Sequence, residues 1–343
     1  MKLKKKYKIL ITILFIMSIT IFLGTKKDVS AKDKSKTLEY VLLNNIYDEK
    51  YKNEYSSIKY TGSSNFSTIL TTFLPKGYSG KEINYILTLS KQNQKLLQNK
   101  PYTDISKYYK YHNFNVSNID RYNNYSHQNP ELSIKDVILS VNMSLDEEVY
   151  TNYKEVTNPN DPLVLVNKYN KLPSNYMPED ITYLDGYYGN KVPVRSILKE
   201  EFLKMQEAMQ KEISVTLMPT TAFRGENFQT TLYNNYVAKD GVESADKYSA
   251  RPGFSEHQTG LAIDTKNASL NGTIRLTDSD YKWLEDNSYK YGFIVRFPQN
   301  KENITGYQFE NWHFRYVGKK HAKIIHDENL TLEEYIDLYI TGY

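Results

Sequence analysis

The chain has 343 residues, which is longer than most single domains and predicts one sizeable core together with a smaller module. Its formal net charge is +4, but residues 1–31 hold seven lysines and one aspartate, so the remainder carries 37 basic and 39 acidic side chains, or −2. The basic balance belongs to the N-terminal segment, and the sequence therefore predicts no nucleic-acid partner. The absence of cysteine excludes disulfides, thiolate metal ligands and a cysteine nucleophile.

Residues 1–31 have the pattern of an export signal or a membrane anchor. Five lysines precede the uncharged, mostly apolar run Ile9–Gly24, whose 16 positions fall short of the roughly 20 that a spanning helix needs. Small residues favour cleavage after Ala31, although two lysines shortly before it are unusual, so an uncleaved anchor that attaches the protein to the membrane through residues 9–24 stays open. Either alternative predicts an extracytoplasmic protein, secreted or anchored to the outer face of the cell membrane.

The next two segments have polar or helical patterns. Residues 32–64 are polar and lack a sustained hydrophobic period, which predicts a tether. Residues 65–155 are predicted to form a small, mainly helical module of unknown role. Within this module, Ser79 and Glu82 have the spacing of a capping box ahead of an apolar helical face, whereas the segment that begins at Ser133 fits a helix or a strand.

Residues 156–343 are predicted to form a second domain. Pro159 and Pro162 bracket a turn, and the run LVLV that follows predicts a buried strand. Helices and strands then occur without a regular β-α-β repeat, which favours an α+β domain. In chain order the patterns predict a helix with Leu198, Phe202, Met205 and Met209 on its apolar face, a strand from Ile213, a helix closed by Gly292, strands over FIVRF and NWHFRYVG, and a capped helix over TLEEYIDLYI.

Two motifs carry side chains suited to a metal site. In SEHQTGLAID, His257 and Asp264 offer the nitrogen and oxygen donors that zinc accepts when thiolates are absent, although a surface histidine before a strand-end aspartate explains this pair equally simply. In FENWHFRYVG, Glu310 and His313 stand three positions apart. If His313 completes a His/Asp/His set, the fourth tetrahedral position is left for water, as in catalytic zinc sites, and Glu310 is the base that takes a proton from that water.

The two motifs resemble those of the VanY-type D-alanyl-D-alanine carboxypeptidases, zinc peptidases related in fold to the Hedgehog signalling domain and the lysostaphin group. The resemblance covers about residues 160–343 and includes the segments LVNKYNKLP, YMPEDI, YGFIVRFP and TGY. It implies an α+β catalytic domain in which helices flank a small antiparallel sheet. It also implies one Zn²⁺ per chain and a peptidoglycan stem peptide as substrate.

The resemblance further implies roles for seven residues. The matched positions are His257, Asp264 and His313 as zinc ligands, Glu310 as catalytic base, and Arg224, Gln229 and Ser255 as substrate-binding residues. The guanidinium of Arg224 can pair with a substrate carboxylate or stabilise charge on the tetrahedral intermediate. An arginine that caps a sheet edge and ordinary polar loop residues are the alternatives for these last three positions. The chain departs from the family pattern at Gly225, usually serine, and at Asn311, usually proline.

The activity implied is hydrolysis of the terminal D-alanine from peptidoglycan stem peptides. An L,D-carboxypeptidase that acts on tetrapeptide stems is an alternative, because the shape of the pocket that separates the two is not readable from sequence. A non-catalytic cell-wall-binding module that retains the zinc site is another. The presence of Glu310 beside a three-ligand set favours an enzyme, since a structural zinc more often has a fourth protein ligand.

Overall fold

The computed structural model describes residues 29–272 and 275–340, with side chains from residue 36 onward. The chain divides into two compact units, residues 1–110 and 111–343. The apolar run of the predicted export signal lies outside the described residues. Among the described helices, none combines the length and the apolar character that a membrane crossing requires.

In its described part, the regular secondary structure of the first unit is helical. Its helices are α1 (Val29–Leu43), α2 (Lys52–Ser57), α3 (Phe66–Phe73), α4 (Gly80–Ile86) and α5 (Lys91–Gln98). The predicted capping box is present at the start of α4, where Ser79 accepts a hydrogen bond from the Glu82 N–H and the Glu82 carboxylate accepts one from the Ser79 N–H. This exchange satisfies two of the amide donors that a helix start leaves free.

Residues 32–64, predicted to be a tether, contain most of α1 and all of α2. Val41, Tyr55 and Ile58 of this segment are buried. Single large residues on short helices leave no sustained hydrophobic period, and this is why the sequence pattern did not reveal them.

The described part of the second unit contains eight short strands. They are β1 (Lys154–Glu155), β2 (Asn170–Lys171), β3 (Ile181–Asp185), β4 (Lys191–Arg195), β5 (Leu217–Thr221), β6 (Ala262–Asn267), β7 (Phe293–Val295) and β8 (His313–Tyr316). The last four form an antiparallel sheet in the order β5-β6-β8-β7, while β3 and β4 form an antiparallel hairpin and β1 pairs with β2 in parallel.

The helices of the second unit pack around these sheets. They are α6 (Ile119–Gln128), α7 (Ile134–Asn142), α8 (Ser196–Ile213), α9 (Glu226–Asp240), α10 (Val242–Ala245), α11 (Asp278–Asn287), α12 (Glu302–Thr305), α13 (Lys319–Asp327) and α14 (Leu332–Tyr339). The predicted apolar face of α8 joins Ile263, Phe293 and Phe314 of the sheet in one buried core. The α+β class with a small antiparallel sheet flanked by helices is thus confirmed.

Along the chain, the two compact units are divided between residues 110 and 111, which differs from the predicted domain boundary. The sequence predicted that boundary between residues 155 and 156, whereas residues 111–155 cluster with the unit that contains the four-stranded sheet. Polar side chains make part of this connection, since Asp337 of α14 accepts hydrogen bonds from Asn113 and from Asn142 of α7. Amide and carboxylate contacts leave no hydrophobic pattern in a sequence. The roles predicted for the ranges 65–155 and 156–343 remain predictions.

Two predicted strands differ from the structure. The run LVLV is buried, with Val164 and Val166 each 1% exposed, but it forms no strand. Its backbone is held instead by a side chain, because Arg315 donates to the carbonyls of Pro162 and Val164. The strand predicted from Ile213 begins later, at Leu217, since α8 continues through Ile213 and ends at Ser214 in the left-handed conformation.

Candidate metal centre and active site

His257 lies in a short 3₁₀ turn that leads into β6. The turn spans Glu256–Thr259 and ends at Gly260, whose φ of +68° suits glycine and whose added Cβ would lie 2.9 Å from the Cγ of Arg195. The Nδ1 atom of His257 is 2.6 Å from the carbonyl oxygen of Ala222. This contact assigns the ring proton to Nδ1 and leaves the Nε2 lone pair for a ligand.

Asp264 and His313 are brought together by strand pairing. They stand directly opposite each other in the antiparallel pair β6–β8, so their side chains leave the same face of the sheet. The Oδ1 atom of Asp264 lies 3.2 Å from His313 Nδ1 and 3.5 Å from His257 Nε2. Residues that are far apart in sequence therefore present three donor atoms to one point.

These three donor atoms fit a tetrahedral metal ion. All three side chains are buried, and their donor atoms lie within 4.8 Å of one another. Ligands at zinc distances of about 2.0–2.2 Å are separated by about 3.3 Å in a tetrahedron, close to the two separations from Asp264. The Oδ1 atom of Asp264 is buried without a hydrogen-bond partner among the described residues, which is costly for a carboxylate unless a cation binds it.

Glu310 lies beside this centre. One of its carboxylate oxygens is 3.6 Å from His313 Nδ1. Burial, together with the nearby charge of Asp264, raises the pKa of Glu310 to about 7. A carboxyl group with a pKa near neutrality can accept and return a proton at physiological pH, which is the requirement for a general base.

The two histidines have opposite pKa shifts. Burial and the charge of Arg224 lower the pKa of His257 to about 4, so the ring is neutral. Burial also opposes charge on His313, but contacts with Asp264 and Glu256 outweigh it and raise its pKa to about 9. Without a metal, a proton on His313 therefore balances the carboxylates, and a cation bound there must displace that proton.

Arg224 and Gln229 form a pair next to the centre. The Nε of Arg224 donates to Gln229 Oε1 at 3.1 Å, and its Nη1 lies 3.7 Å from Asp264 Oδ2. Gln229 is fully buried and also donates to the carbonyl of Ala250. Gln229 thus fixes the Arg224 side chain, and its substrate-binding role stays a prediction.

A cavity of about 490 Å³ opens over these residues. Ser255 lines it, together with Arg224, Glu310 and the three donor residues. Several apolar and aromatic side chains that the sequence analysis did not identify also line it, among them Phe228, Leu232, Tyr236, Tyr248, Phe254, Phe297, Tyr307 and Trp312. Phe228, Leu232 and Tyr236 recur every four residues along α9, and that spacing was the available signal.

Arg275 is a second cation in this cavity that the sequence analysis missed. Its guanidinium lies over the ring of Trp312 at 5.2 Å and donates to the hydroxyl of Thr220 at 3.0 Å. Its Nη1 is 3.9 Å from Asp264 Oδ2, and its side chain is 34% exposed. Nothing around Arg275 in the sequence forms a motif, so only the fold reveals it.

A buried ion network lies close to His313. Glu256 accepts hydrogen bonds from Arg296 and Arg315, and Arg296 also pairs with Glu333. All four side chains are at most 3% exposed. The sequence analysis did not identify this network, because its members come from four separate segments of the chain.

Comparison with known proteins identifies the family. The family model described as VanY, D-alanyl-D-alanine carboxypeptidase, matches residues 191–319. The putative carboxypeptidase YodJ of Bacillus subtilis is 42% identical over 208 residues, which are 57% of this chain and 76% of that protein. The chain belongs to the VanY carboxypeptidase family. The resemblance found in the sequence motifs is thus confirmed.

Other VanY-family proteins are similar over the same share of the chain. The bifunctional D-Ala-D-Ala dipeptidase and D-Ala-D-Ala carboxypeptidase VanXYC of Enterococcus gallinarum is 32% identical over 186 residues, covering 51% of this chain and 93% of its own. The structure of the LdcB LD-carboxypeptidase is 39% identical, with a TM-score of 0.51, and the match covers 56% of this chain and 92% of LdcB. The VanY family thus includes relatives named for D,D and for L,D cleavage.

Proposed function

We propose that this VanY-family protein is an exported zinc carboxypeptidase that hydrolyses the terminal D-alanine from peptidoglycan stem peptides. The observation that carries the proposal is the buried His257/Asp264/His313 set with Glu310 beside it. Three protein donors on one side and a cavity of about 490 Å³ on the other are what a catalytic rather than a structural metal site requires.

Zinc is the metal that this donor set favours. Two imidazoles and one carboxylate, without thiolates, suit a borderline-soft divalent ion with tetrahedral geometry. The chemistry that zinc supplies in such a site is a pKa near 7 for bound water and polarisation of a carbonyl. The single cluster of donors found among the described residues supports one ion per chain.

Glu310 moves the proton in the proposed reaction. Its carboxylate accepts a proton from the attacking water as the new C–O bond forms at the scissile carbonyl. The C–N bond then breaks, and Glu310 returns the proton to the departing amine of D-alanine. Arg224, largely buried and fixed by Gln229, offers positive charge near the carbonyl oxygen as that oxygen becomes negative.

A change of Glu310 to glutamine tests the proposed reaction against a binding function. The variant keeps the size of the side chain but cannot take up a proton, so we expect D-alanine release to fall about 10²- to 10⁴-fold. Zinc content, measured on the same samples, should stay at the wild-type level. Equal activity in wild type and variant would contradict the mechanism. Wild-type protein that binds zinc and muropeptide but releases no D-alanine would favour the wall-binding module.

An L,D-carboxypeptidase is the second candidate, and the likeness to LdcB is the observation that favours it. The two activities differ in the residue before the scissile bond, which must fit the same cavity. Purified protein is offered a pentapeptide and a tetrapeptide stem, and free D-alanine is assayed. Release from the pentapeptide supports the D,D assignment, whereas release from the tetrapeptide alone would replace it with the L,D assignment.

The proposed location outside the cytoplasm depends on the lysine-rich and apolar N-terminal residues. A stem-peptide hydrolase must meet its substrate at the wall, which agrees with export. Fractionation of cells that carry the full chain, with the sequence of the mature N-terminus, separates a secreted form that starts at residue 32 from a form anchored through residues 9–24.

A further inference from the structure

Glu256 precedes the proposed metal ligand His257 in sequence, but its carboxylate faces the other histidine, His313. Its Oε1 atom accepts a hydrogen bond from Arg296 Nε at 2.7 Å and another from Arg315 Nη1 at 2.7 Å. Both arginines therefore bind the same oxygen of Glu256. The other oxygen, Oε2, binds neither arginine in these two hydrogen bonds.

That second oxygen faces His313. Oε2 of Glu256 is buried without a hydrogen-bond partner among the described residues, and so is Nε2 of His313. The two atoms lie 3.7 Å from each other. Since His313 Nδ1 is the nitrogen that points to Asp264, Nε2 lies on the far side of the ring from the metal centre. A small shift of either side chain gives both buried atoms the partner they lack.

The arginines hold the Glu256 carboxylate in this orientation. Arg296 is fixed by two hydrogen bonds to Glu333, at 3.0 and 2.7 Å. Arg315 is fixed by the carbonyls of Pro162 and Val164. Arg315 also stands two residues after His313 on β8, so both side chains leave the same face of the strand. Both arginines thus hold the carboxylate by Oε1, which leaves Oε2 directed at the imidazole.

We propose that Glu256 is a positioning residue for His313: its Oε2 accepts the Nε2–H hydrogen bond and so holds the ring with Nδ1 directed at the metal. The proposal rests on the proposed metal-binding role of His313. A carboxylate behind a metal-bound imidazole fixes the tautomer, orients the ring and increases the basicity of the coordinating nitrogen. Arg296, Arg315 and Glu333 act through Glu256.

The first test needs no substitution. In the wild-type protein loaded with zinc and labelled with nitrogen-15 on histidine, the His313 ring should carry its proton on Nε2. That proton should resonate downfield and exchange slowly with water, because it is buried and bonded to a carboxylate. A His313 ring protonated on Nδ1, or an Nε2 proton that exchanges as fast as that of an exposed histidine, would overturn the proposal.

The second test compares two carboxylates that bind the same arginine. Glu256→Gln removes the negative charge that faces His313. Glu333→Gln removes the negative charge that pairs with Arg296 and leaves the surroundings of His313 unchanged. Zinc affinity, measured by competition with a chelator, should fall about 10- to 100-fold in the first variant and stay within about twofold of wild type in the second. Unfolding midpoints report the stability that both variants lose.

Equal zinc affinity in the two variants would overturn the proposal, because Glu256 would then act only through the fold. A Glu256→Gln protein that does not fold leaves the measurement on wild-type His313 to decide. Neither readout depends on catalysis. Absence of D-alanine release by the zinc-loaded wild type therefore counts against the proposed function and not against the position of Glu256.

Discussion

Two pairs of arginines flank the metal centre, and they differ in how completely they are bonded. Arg296 and Arg315 are fully buried, and their donors meet the carboxylates of Glu256 and Glu333 or backbone carbonyls. Arg224 and Arg275 line the cavity instead. Each approaches Asp264 Oδ2 at 3.7 or 3.9 Å, too far for a good hydrogen bond, and each makes one short contact with a neutral side chain.

The difference distinguishes arginines that stabilise the fold from arginines that keep donors for a ligand. A buried guanidinium with every donor paired stabilises the fold only as part of its network, and it is costly to break. A guanidinium held at one end, with donors left towards a cavity, keeps them for a ligand that carries negative charge. The same residue type thus belongs to a bonded network behind His313 and, in front of it, lines the cavity.

The largest effect should come from the buried pair, Arg296 and Arg315. Arg296→Met leaves Glu256 and Glu333 buried without their shared cation, so the free energy of unfolding should fall by about 3–5 kcal/mol, measured by urea denaturation. The double variant in which methionine replaces Arg296 and glutamine replaces Glu333 should recover part of this loss, since the charge of Glu333 is then gone and Glu256 keeps its bond from Arg315. A single variant as stable as wild type would mean that the network contributes nothing.

Arg224→Gln should affect catalysis rather than stability. Loss of a positive donor near the developing oxyanion should lower kcat/KM for D-alanine release about 10²- to 10³-fold, while the unfolding midpoint stays near that of wild type. Gln229→Leu is the matched variant, because it frees Arg224 without removing its charge, and it should cost less. A decrease in stability as large as that of Arg296→Met would place Arg224 in the structural pair instead.

Arg275→Gln should give a smaller effect, confined to binding. We expect its partly exposed guanidinium over Trp312 to bind the free carboxylate of the terminal D-alanine, so KM should rise about tenfold with little change in kcat. A stem peptide with an amidated C-terminus serves as the comparison, because the wild type should discriminate against it and the variant should do so less. Unchanged discrimination would remove Arg275 from substrate recognition.

The smallest effect should come from an exposed ion pair away from both sets. Lys204 of α8 contacts Glu200 and Glu201 on the helix surface. Lys204→Ala should leave the urea midpoint and kcat/KM unchanged, because exposed pairs contribute little. A marked loss of stability in this variant would show that exposed charges contribute strongly as well. Burial would then not explain the larger loss expected for Arg296→Met.

The site could be predicted from the sequence because its members lie in two short motifs. His257 and Asp264 share one motif, Glu310 and His313 share the other, and pairing of β6 with β8 joins them. The role of Glu256 could not be predicted, because it depends on Arg296, Arg315 and Glu333, which come from other segments. Arg275 was missed for the same reason, since a contact that only the fold creates leaves no local pattern.

The fold shows the same division. The amphipathic helix α8 and the capping boxes at Ser79 and Thr331 were readable, because periodicity and capping act within a few residues. The run LVLV is as apolar as a strand but forms none, and the side chain of Arg315 donates to the carbonyl of Val164 within it. Local signals predict elements, whereas the choice of partner is a property of the whole chain.

The direct opposition of Asp264 and His313 across β6 and β8 limits how this enzyme can diverge. A slip of one residue in either strand would turn one of the two side chains to the other face of the sheet, so insertions and deletions within the strands would abolish the site. The connection that leaves β6 can change in length without altering that pairing, and it carries Arg275 at the cavity. New substrate preferences can therefore arise by remodelling this connection while the hydrolytic residues stay in place.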